Sequence, residues 1–327
     1  MKQSIIIIGA GEWGQALAYI CHKSNPKTTI FLICREGKSL RSYSIHPKLQ
    51  HSKIILQNSL AAVVEKTSPI IIATPSTSIA DILTSLNHLN HQGDILCTAK
   101  GFIDKPGIPY PHELYSSINP KTKSFAYLYG PTFAEEVLDD LPTQAILASS
   151  SPRSKKLWQK NLHNDDFQTL ASTDLKGLAW CSVFKNIVAI VSGFMKACNL
   201  GKNAQAILIT HATVELKRII KKTKGNPNTA HSLAGIGDII LSASPKSRNF
   251  RYGQQIAENT SQKSNTIEGK TNLQLITKKL KSMKQEKPPI ITLAENCIQE
   301  PKQSKHLIIK WIQSKTKSLL PPKSTKS

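Results

Sequence analysis

The chain is short of acid and of aromatic rings: 21 Asp and Glu stand against 43 Lys and Arg, and Phe, Trp and Tyr together make 6% of its 327 residues. The first shortage leaves a formal charge of +22. The second removes the stacking platforms on which single-stranded nucleic acid is held. The lysines are spread along the whole chain with no recognition motif beside them, so nucleic acid is not an expected partner. A basic surface of this kind attracts small phosphorylated anions instead. The six cysteines, Cys21, Cys34, Cys97, Cys181, Cys198 and Cys297, include no C-x-x-C pair and have no histidine at metal-ligand spacing. That spacing argues against a disulfide scaffold and a zinc site, no metal is expected, and a reduced cytoplasmic protein is. Long apolar runs are missing as well: no stretch approaches the roughly 18 residues that a membrane span needs. The four isoleucines at 5–8 are too few for a signal peptide, and a soluble protein is expected.

What is present suits two domains, each with a core of its own. The first half alternates short β-branched runs with helical patterns, and the candidate strands are 4–8, 28–33, 69–73, 95–98, 125–129 and 145–149. Their near-continuous hydrophobicity predicts a parallel sheet covered by helices on both faces. From Gly177 onward apolar residues recur at helical spacing and strand patterns vanish, with 178–200 apolar enough for a central buried helix.

Gly9-Ala10-Gly11-Glu12-Trp13-Gly14 fits G-x-G-x-x-G directly after the first strand, with a helix predicted to begin near Gln15. Glycines there let the backbone turn tightly and approach a pyrophosphate, which sits at the positive end of the helix. The expected fold is therefore α/β: an N-terminal Rossmann-like doubly wound sheet over 1–176, an all-helical C-terminal domain over 177–320, and a basic tail at 321–327, expected to be disordered. At the end of the second strand stands Cys34-Arg35-Glu36. A guanidinium at that point pairs with a 2′-phosphate and favours NADPH, while Glu36 keeps NADH open.

Other residues collect at the ends of later strands. Lys100, in Thr98-Ala99-Lys100-Gly101, falls at the carboxyl edge where open α/β sheets bind ligands. In Gly130-Pro131-Thr132-Phe133-Ala134 the Gly-Pro turn is expected to start a helix with Thr132 as its N-cap. Lys185 is the most informative position, because it lies inside the apolar stretch 180–190. A buried ammonium is costly unless it is paired or its pKa falls, and a desolvated lysine suits general acid catalysis near neutral pH. Ser182, Cys181, Ala189 and Ser192 leave a mostly small face around it, whereas Phe184, Ile187 and Val191 form a bulky one. Asp238 follows two glycines on an expected turn and can orient a lysine. Ser247-Arg248-Asn249 offers a hydroxyl, a fork and an amide for a phosphate.

These blocks resemble, in order along nearly the whole chain, the bacterial NAD(P)-dependent glycerol-3-phosphate dehydrogenases. The matching segments are the glycine fingerprint, Lys100-Gly101, Gly130 to Ala134, Leu141-Pro142-Thr143, Phe184-Lys185-Asn186, 200–204, 233–238, 247–249 and 267–269. The resemblance implies that Lys185 is the proton donor and acceptor, with Lys100, Asp238 and Asn186 shaping the active site. It implies that Gly130, Thr132, Lys100, Lys185, Asp238, Ser247, Arg248 and Asn249 contact substrate. Gly9, Gly11, Glu12, Trp13, Gly14, Arg35, Lys100, Ala134, Arg248, Thr266 and Glu268 would line the nucleotide. The implied reaction is reduction of dihydroxyacetone phosphate by NADPH or NADH, supplying glycerophospholipid synthesis from a cytoplasmic homodimer. The chain departs from the family at Glu12, where a small residue is usual, at His211, usually arginine, and at Ile103, usually acidic. A related 3-hydroxyacid or ketopantoate-type dehydrogenase, or a divergent nucleotide-binding relative without turnover, are the competing readings.

Overall fold

Strand β1 (Ser4–Ile8) shows how the sequence builds two cores at once, because side chains alternate across a strand. Ile6 and Ile8 join one cluster with helices α2 (Ile79–His88) and α3 (Pro111–Ile118). Ile5 and Ile7 join another with α1 (Glu12–Ser24) and α5 (Pro152–Leu162). The computed structural model describes residues 4–34, 43–50, 53–105, 110–118, 125–260 and 268–315, with the side chains of 268–270 left out. Arg35, Glu36, Thr266 and the 321–327 tail lie outside the described residues.

The eight strands run in the order β3 (Ile54–Gln57), β2 (Thr29–Ile33), β1, β4 (Ile70–Ile72), β5 (Ile95–Cys97), β6 (Phe125–Tyr129), β7 (Thr143–Ser149), β8 (Phe167–Ser172). The doubly wound expectation holds, with two corrections. The sheet is mixed, because β6 and β7 pair antiparallel while every other pair is parallel. Two strands, β3 and β8, escaped the reading of continuous apolar runs because they are edge strands whose residues are only partly covered.

β1 lies between β2 and β4, so the chain winds away in both directions from that point and opens a crevice at the carboxyl ends. The glycine fingerprint occupies it. Gly9 has φ +115°, a region closed to most side chains. A Cβ there would stand 2.8 Å from the Ala73 carbonyl oxygen, after β4. Helix α1 begins at Glu12 rather than near Gln15, and Gly14 sits in its first turn with any Cβ 1.7 Å from the Gly9 carbonyl oxygen. Gly14→Ala must therefore push the turn apart. It is expected to cost about 1–3 kcal/mol of stability, as overpacking does, and to weaken NADPH binding at least about tenfold by the 1.4 kcal/mol per decade rule, read by thermal melting and fluorescence titration.

Beyond β8 the described residues are helical: α6 (Leu175–Ala197), α7 (Gly201–Lys222), α8 (Asp238–Ser242), α9 (Arg248–Ala257), α10 (Glu268–Ser282), α11 (Pro289–Gln299) and α12 (Ser304–Gln313). Asp174 caps α6, its carboxylate accepting from the Gly177 amide at 2.9 Å. The helix thus starts three residues earlier than its apolar run, and the 176/177 boundary falls in its first turn. Contrary to expectation, α6 does reach the length and hydropathy of a membrane span. The reason is wrapping: every residue from 177 to 195 is buried in protein, so no polar face is needed. The expectation of one core per half also fails. A single cluster runs from Ile6, Ile72 and Tyr127 on the sheet through Trp180 and Phe184 of α6 to Ile290 and Trp311.

α9 crosses α6 on glycine. A Cβ on Gly193 would lie 2.0 Å from the Phe250 carbonyl oxygen, and one on Gly253 would lie 2.1 Å from that of Ile190. The two backbones touch directly there.

Candidate active site

Strand β5 ends at Cys97, and the chain leaves the sheet through Thr98, whose amide makes a last bond to the Ile72 carbonyl at 2.9 Å. This exit carries Lys100 to the carboxyl edge, where its side chain is 19% exposed. Lys185 arrives from mid-α6 and is 7% exposed. Asp238, 1% exposed, opens α8. It follows a π-helical turn over Leu233–Gly237, so the expected glycine turn is a wound segment. Gly235 makes that winding fit, since a Cβ would meet the Ala230 carbonyl oxygen at 2.2 Å.

The three meet. Lys185 Nζ donates to Asp238 Oδ1 at 2.6 Å and Lys100 Nζ to Oδ2 at 2.9 Å, so one carboxylate holds two ammonium groups. Lys100 also donates to the Gly130 carbonyl at 3.4 Å. Burial pulls the Lys185 ammonium down to about 7, with Asp238 opposing and the Lys100 charge reinforcing the fall. For Asp238 burial acts upward, but the two cations prevail and the carboxyl stays below its ordinary value. A lysine that exchanges its proton near neutrality, in a group with a net positive charge, can protonate a carbonyl oxygen and hold the charge that develops on it. Ser242, one turn beyond Asp238, donates to Oδ1 at 3.3 Å. The sequence reading passed it over, although a hydroxyl four residues after an acid on a helix was a readable signal.

Asn186, next to Lys185, is buried, with its Nδ2 lacking a hydrogen-bond partner among the described residues. Thr132 is not an N-cap. Its hydroxyl turns back to the Gly130 carbonyl at 3.4 Å, and α4 (Ala134–Leu138) starts after Phe133 without a side-chain cap. Ala134 is thus the first residue of that helix and is half-buried. Ser247 precedes α9, Asn249 is buried in its first turn, and Arg248 is exposed with no ion pair or hydrogen bond among the described residues. Lys246, just before them, reaches Glu135 at 2.8 Å and Glu136 at 3.1 Å on α4, which brings the 247–249 segment to the side of the site where Gly130 and Thr132 stand.

Does the crevice suit a dinucleotide? Gly9 and Gly14 leave no room for a side chain, whereas a Cβ on Gly11 would find nothing within 4 Å among the described residues, so the loop presents bare backbone. Gly11 caps α1 without a side-chain bond, which leaves first-turn amides for an anion. These features fit a pyrophosphate. Trp13 is half-buried against the α1 core, and Glu12 is exposed on the first turn. Glu268 begins α10. The other two departures lie in packing: Ile103 is in the core, and His211 is buried edge-on to Trp311 with ring centres 5.7 Å apart. Burial and the nearby Lys315 and Arg218 charges lower the His211 pKa.

Comparison with known proteins agrees with this geometry. Residues 4–155 match the family profile of the NAD-dependent glycerol-3-phosphate dehydrogenase N-terminus, and 174–309 match that of its C-terminus. The glycerol-3-phosphate dehydrogenase [NAD(P)+] of Neorickettsia sennetsu is 31% identical over 278 residues, 82% of each chain. That of Francisella philomiragia is 31% identical over 286 residues, covering 82% of this chain and 85% of the relative. The crystal structure of glycerol-3-phosphate dehydrogenase from Coxiella burnetii superposes with a TM-score of 0.84 at 26% identity, over 95% of this chain and 99% of the other. A ketopantoate reductase from Staphylococcus aureus reaches only 0.52 at 13% identity, a likeness of fold alone. With both halves matched in order and the relatives covered over four-fifths of their length, this chain belongs to the NAD-dependent glycerol-3-phosphate dehydrogenase family.

Proposed function

We propose that the chain reduces dihydroxyacetone phosphate to sn-glycerol 3-phosphate with NADPH or NADH, reversibly. The observation that carries this reading is the pair of ammonium groups, Lys100 and Lys185, held on the one buried carboxylate of Asp238 at the carboxyl edge of the sheet. Nicotinamide, when bound, supplies the hydride. Lys185 gives its proton to the carbonyl oxygen, and Lys100 shares the negative charge that grows there. Asp238 fixes the angle between the two cations. Asn186 has a buried amide donor to spare for a substrate oxygen. Arg248, exposed and without a partner among the described residues, grips the phosphate with Ser247 and Asn249 beside it. Gly130 and Thr132 close the substrate's other side. Bare backbone at Gly9, Gly11 and Gly14 takes the pyrophosphate, with Glu12, Trp13, Ala134, Thr266, Glu268 and Lys100 around the nucleotide. Arg35 favours NADPH.

The same reading makes the sheet region to residue 176 the nucleotide domain and 177–320 the substrate domain, in a cytoplasmic homodimer whose product enters glycerophospholipid synthesis. Six free cysteines, five of them buried, support a reducing compartment. Burial pushes the Cys21 and Cys97 thiols up to about 12, which keeps them unreactive.

Purified protein is to be assayed for NADPH and NADH oxidation with dihydroxyacetone phosphate and, separately, ketopantoate. Turnover with the ketose phosphate and a kcat/KM at least about hundredfold above that for the phosphate-free acid are expected, since a site built to pair with a charged group rejects a ligand lacking it. Preference for ketopantoate, or cofactor binding without turnover of either compound, would sink the proposal.

A further inference from the structure

We infer that Asn272 on α10 is a positioning residue for Lys100, gripping the backbone of that lysine and so setting where its ammonium stands against Asp238. The inference rests on the role assigned above to Lys100. Its basis is what happens after β5 runs out. Strand pairing holds the chain as far as Thr98, and beyond it the next two carbonyls are held by side chains. The Tyr129 hydroxyl donates to the Ala99 carbonyl at 2.7 Å, and Asn272 Nδ2 donates to the Lys100 carbonyl at 3.3 Å. Tyr129 belongs to the sheet itself, whereas Asn272 comes from a helix 172 residues further along the chain.

Three observations single out this contact. Asn272 is completely buried, so its amide is fixed in place. Its Oδ1 has no hydrogen-bond partner among the described residues, a cost that packing alone would remove by putting an apolar residue there. Gly101 completes the clamp, because a Cβ on it would lie 3.0 Å from Asn272 Oδ1 and 2.3 Å from the Ser76 side chain. The peptide between Lys100 and Gly101 is thus gripped from two sides while the lysine side chain reaches out to Asp238 and Gly130. One turn before Asn272, α10 opens at Glu268.

The test compares Asn272→Leu, which removes both amide groups, with Asn272→Asp, which keeps the shape and replaces the donor by an acceptor. Lys100→Ala and Lys185→Ala are run beside them. Both Asn272 variants are expected to lose about tenfold to hundredfold in kcat, the scale of a sub-ångström to 1 Å misplacement, with NADPH affinity by fluorescence within about twofold of wild type, a small change beside the tenfold that 1.4 kcal/mol brings. The pH profile supplies a readout that a merely structural role leaves alone. The charged groups that act on Lys185 are Asp238 on α8 and Lys100 after β5. When Lys100 withdraws, Lys185 loses a repelling neighbour, so the limb that reports it moves to higher pH. Wild-type kcat in Asn272→Asp, or a loss of activity matched by a fall in melting temperature with the limb unmoved, overturns the inference while a dead Lys100→Ala leaves the proposed function standing. Wild-type turnover in Lys100→Ala and Lys185→Ala overturns both.

Discussion

Lys185→Ala is expected to lower kcat for ketone reduction by about 10²- to 10⁴-fold, the span that a positioned general acid supplies, with the fold preserved by circular dichroism. The helix should survive, because alanine is the best helix former and the lost side chain stands among small neighbours such as Ser182 and Ala189. Direction of reaction gives a second reading. Reduction needs the ammonium form, so wild-type kcat falls as pH rises through the Lys185 pKa, which burial has brought down to about 7. Oxidation of the alcohol needs the neutral amine, so that rate falls as pH drops through the same region. In the variant both limbs disappear and the residual rate is flat. A variant that keeps wild-type turnover, or keeps either limb, removes Lys185 from the chemistry.

Asp238→Ala is expected to be the most destabilising substitution in the site. It leaves two ammonium groups facing each other, one of them buried, without the carboxylate that holds both. Removing one partner of a buried ion pair costs about 3–5 kcal/mol, with the lower end expected because Lys100 is partly open to water. Asp238→Asn separates charge from shape. The carboxylate is what raises the Lys185 pKa against burial, so its loss lowers that pKa further. At neutral pH less ammonium remains, and kcat for reduction falls; at lower pH it recovers in part. Thermal melting and kcat profiles between mildly acid and neutral pH measure both effects. Unchanged stability in the alanine variant, or a limb that moves up in the asparagine variant, would contradict the arrangement.

The sheet was legible where strands are buried on both faces, since runs such as Ile5 to Ile8 have nowhere else to go. It was illegible at β3 and β8, whose one-sided burial thins the apolar signal, and at the β6–β7 reversal, which no local pattern encodes. Lys185 announced itself because charge inside an apolar helix needs a reason. Asp238 was expected on a glycine turn and stands instead after a π-helical winding, because Gly235, read as part of a turn, is what lets that winding fit against Ala230. Thr132 misled for a related reason: a hydroxyl before a helix can cap it or fold back on its own turn, and the Gly130 carbonyl won. Asn272 carried no signal at all. An asparagine in a polar stretch is ordinary until the fold sets it against a backbone 172 residues away.

The contact of α6 with α9 through Gly193 and Gly253 locks the spacing of these two helices. At the crossing the two helices meet backbone to backbone, with no side chain of Gly193 or Gly253 between them to flex. In the proposed site the main chains that carry Lys185 and Arg248 therefore keep one separation, and whatever adjustment a ligand requires falls to the two long side chains.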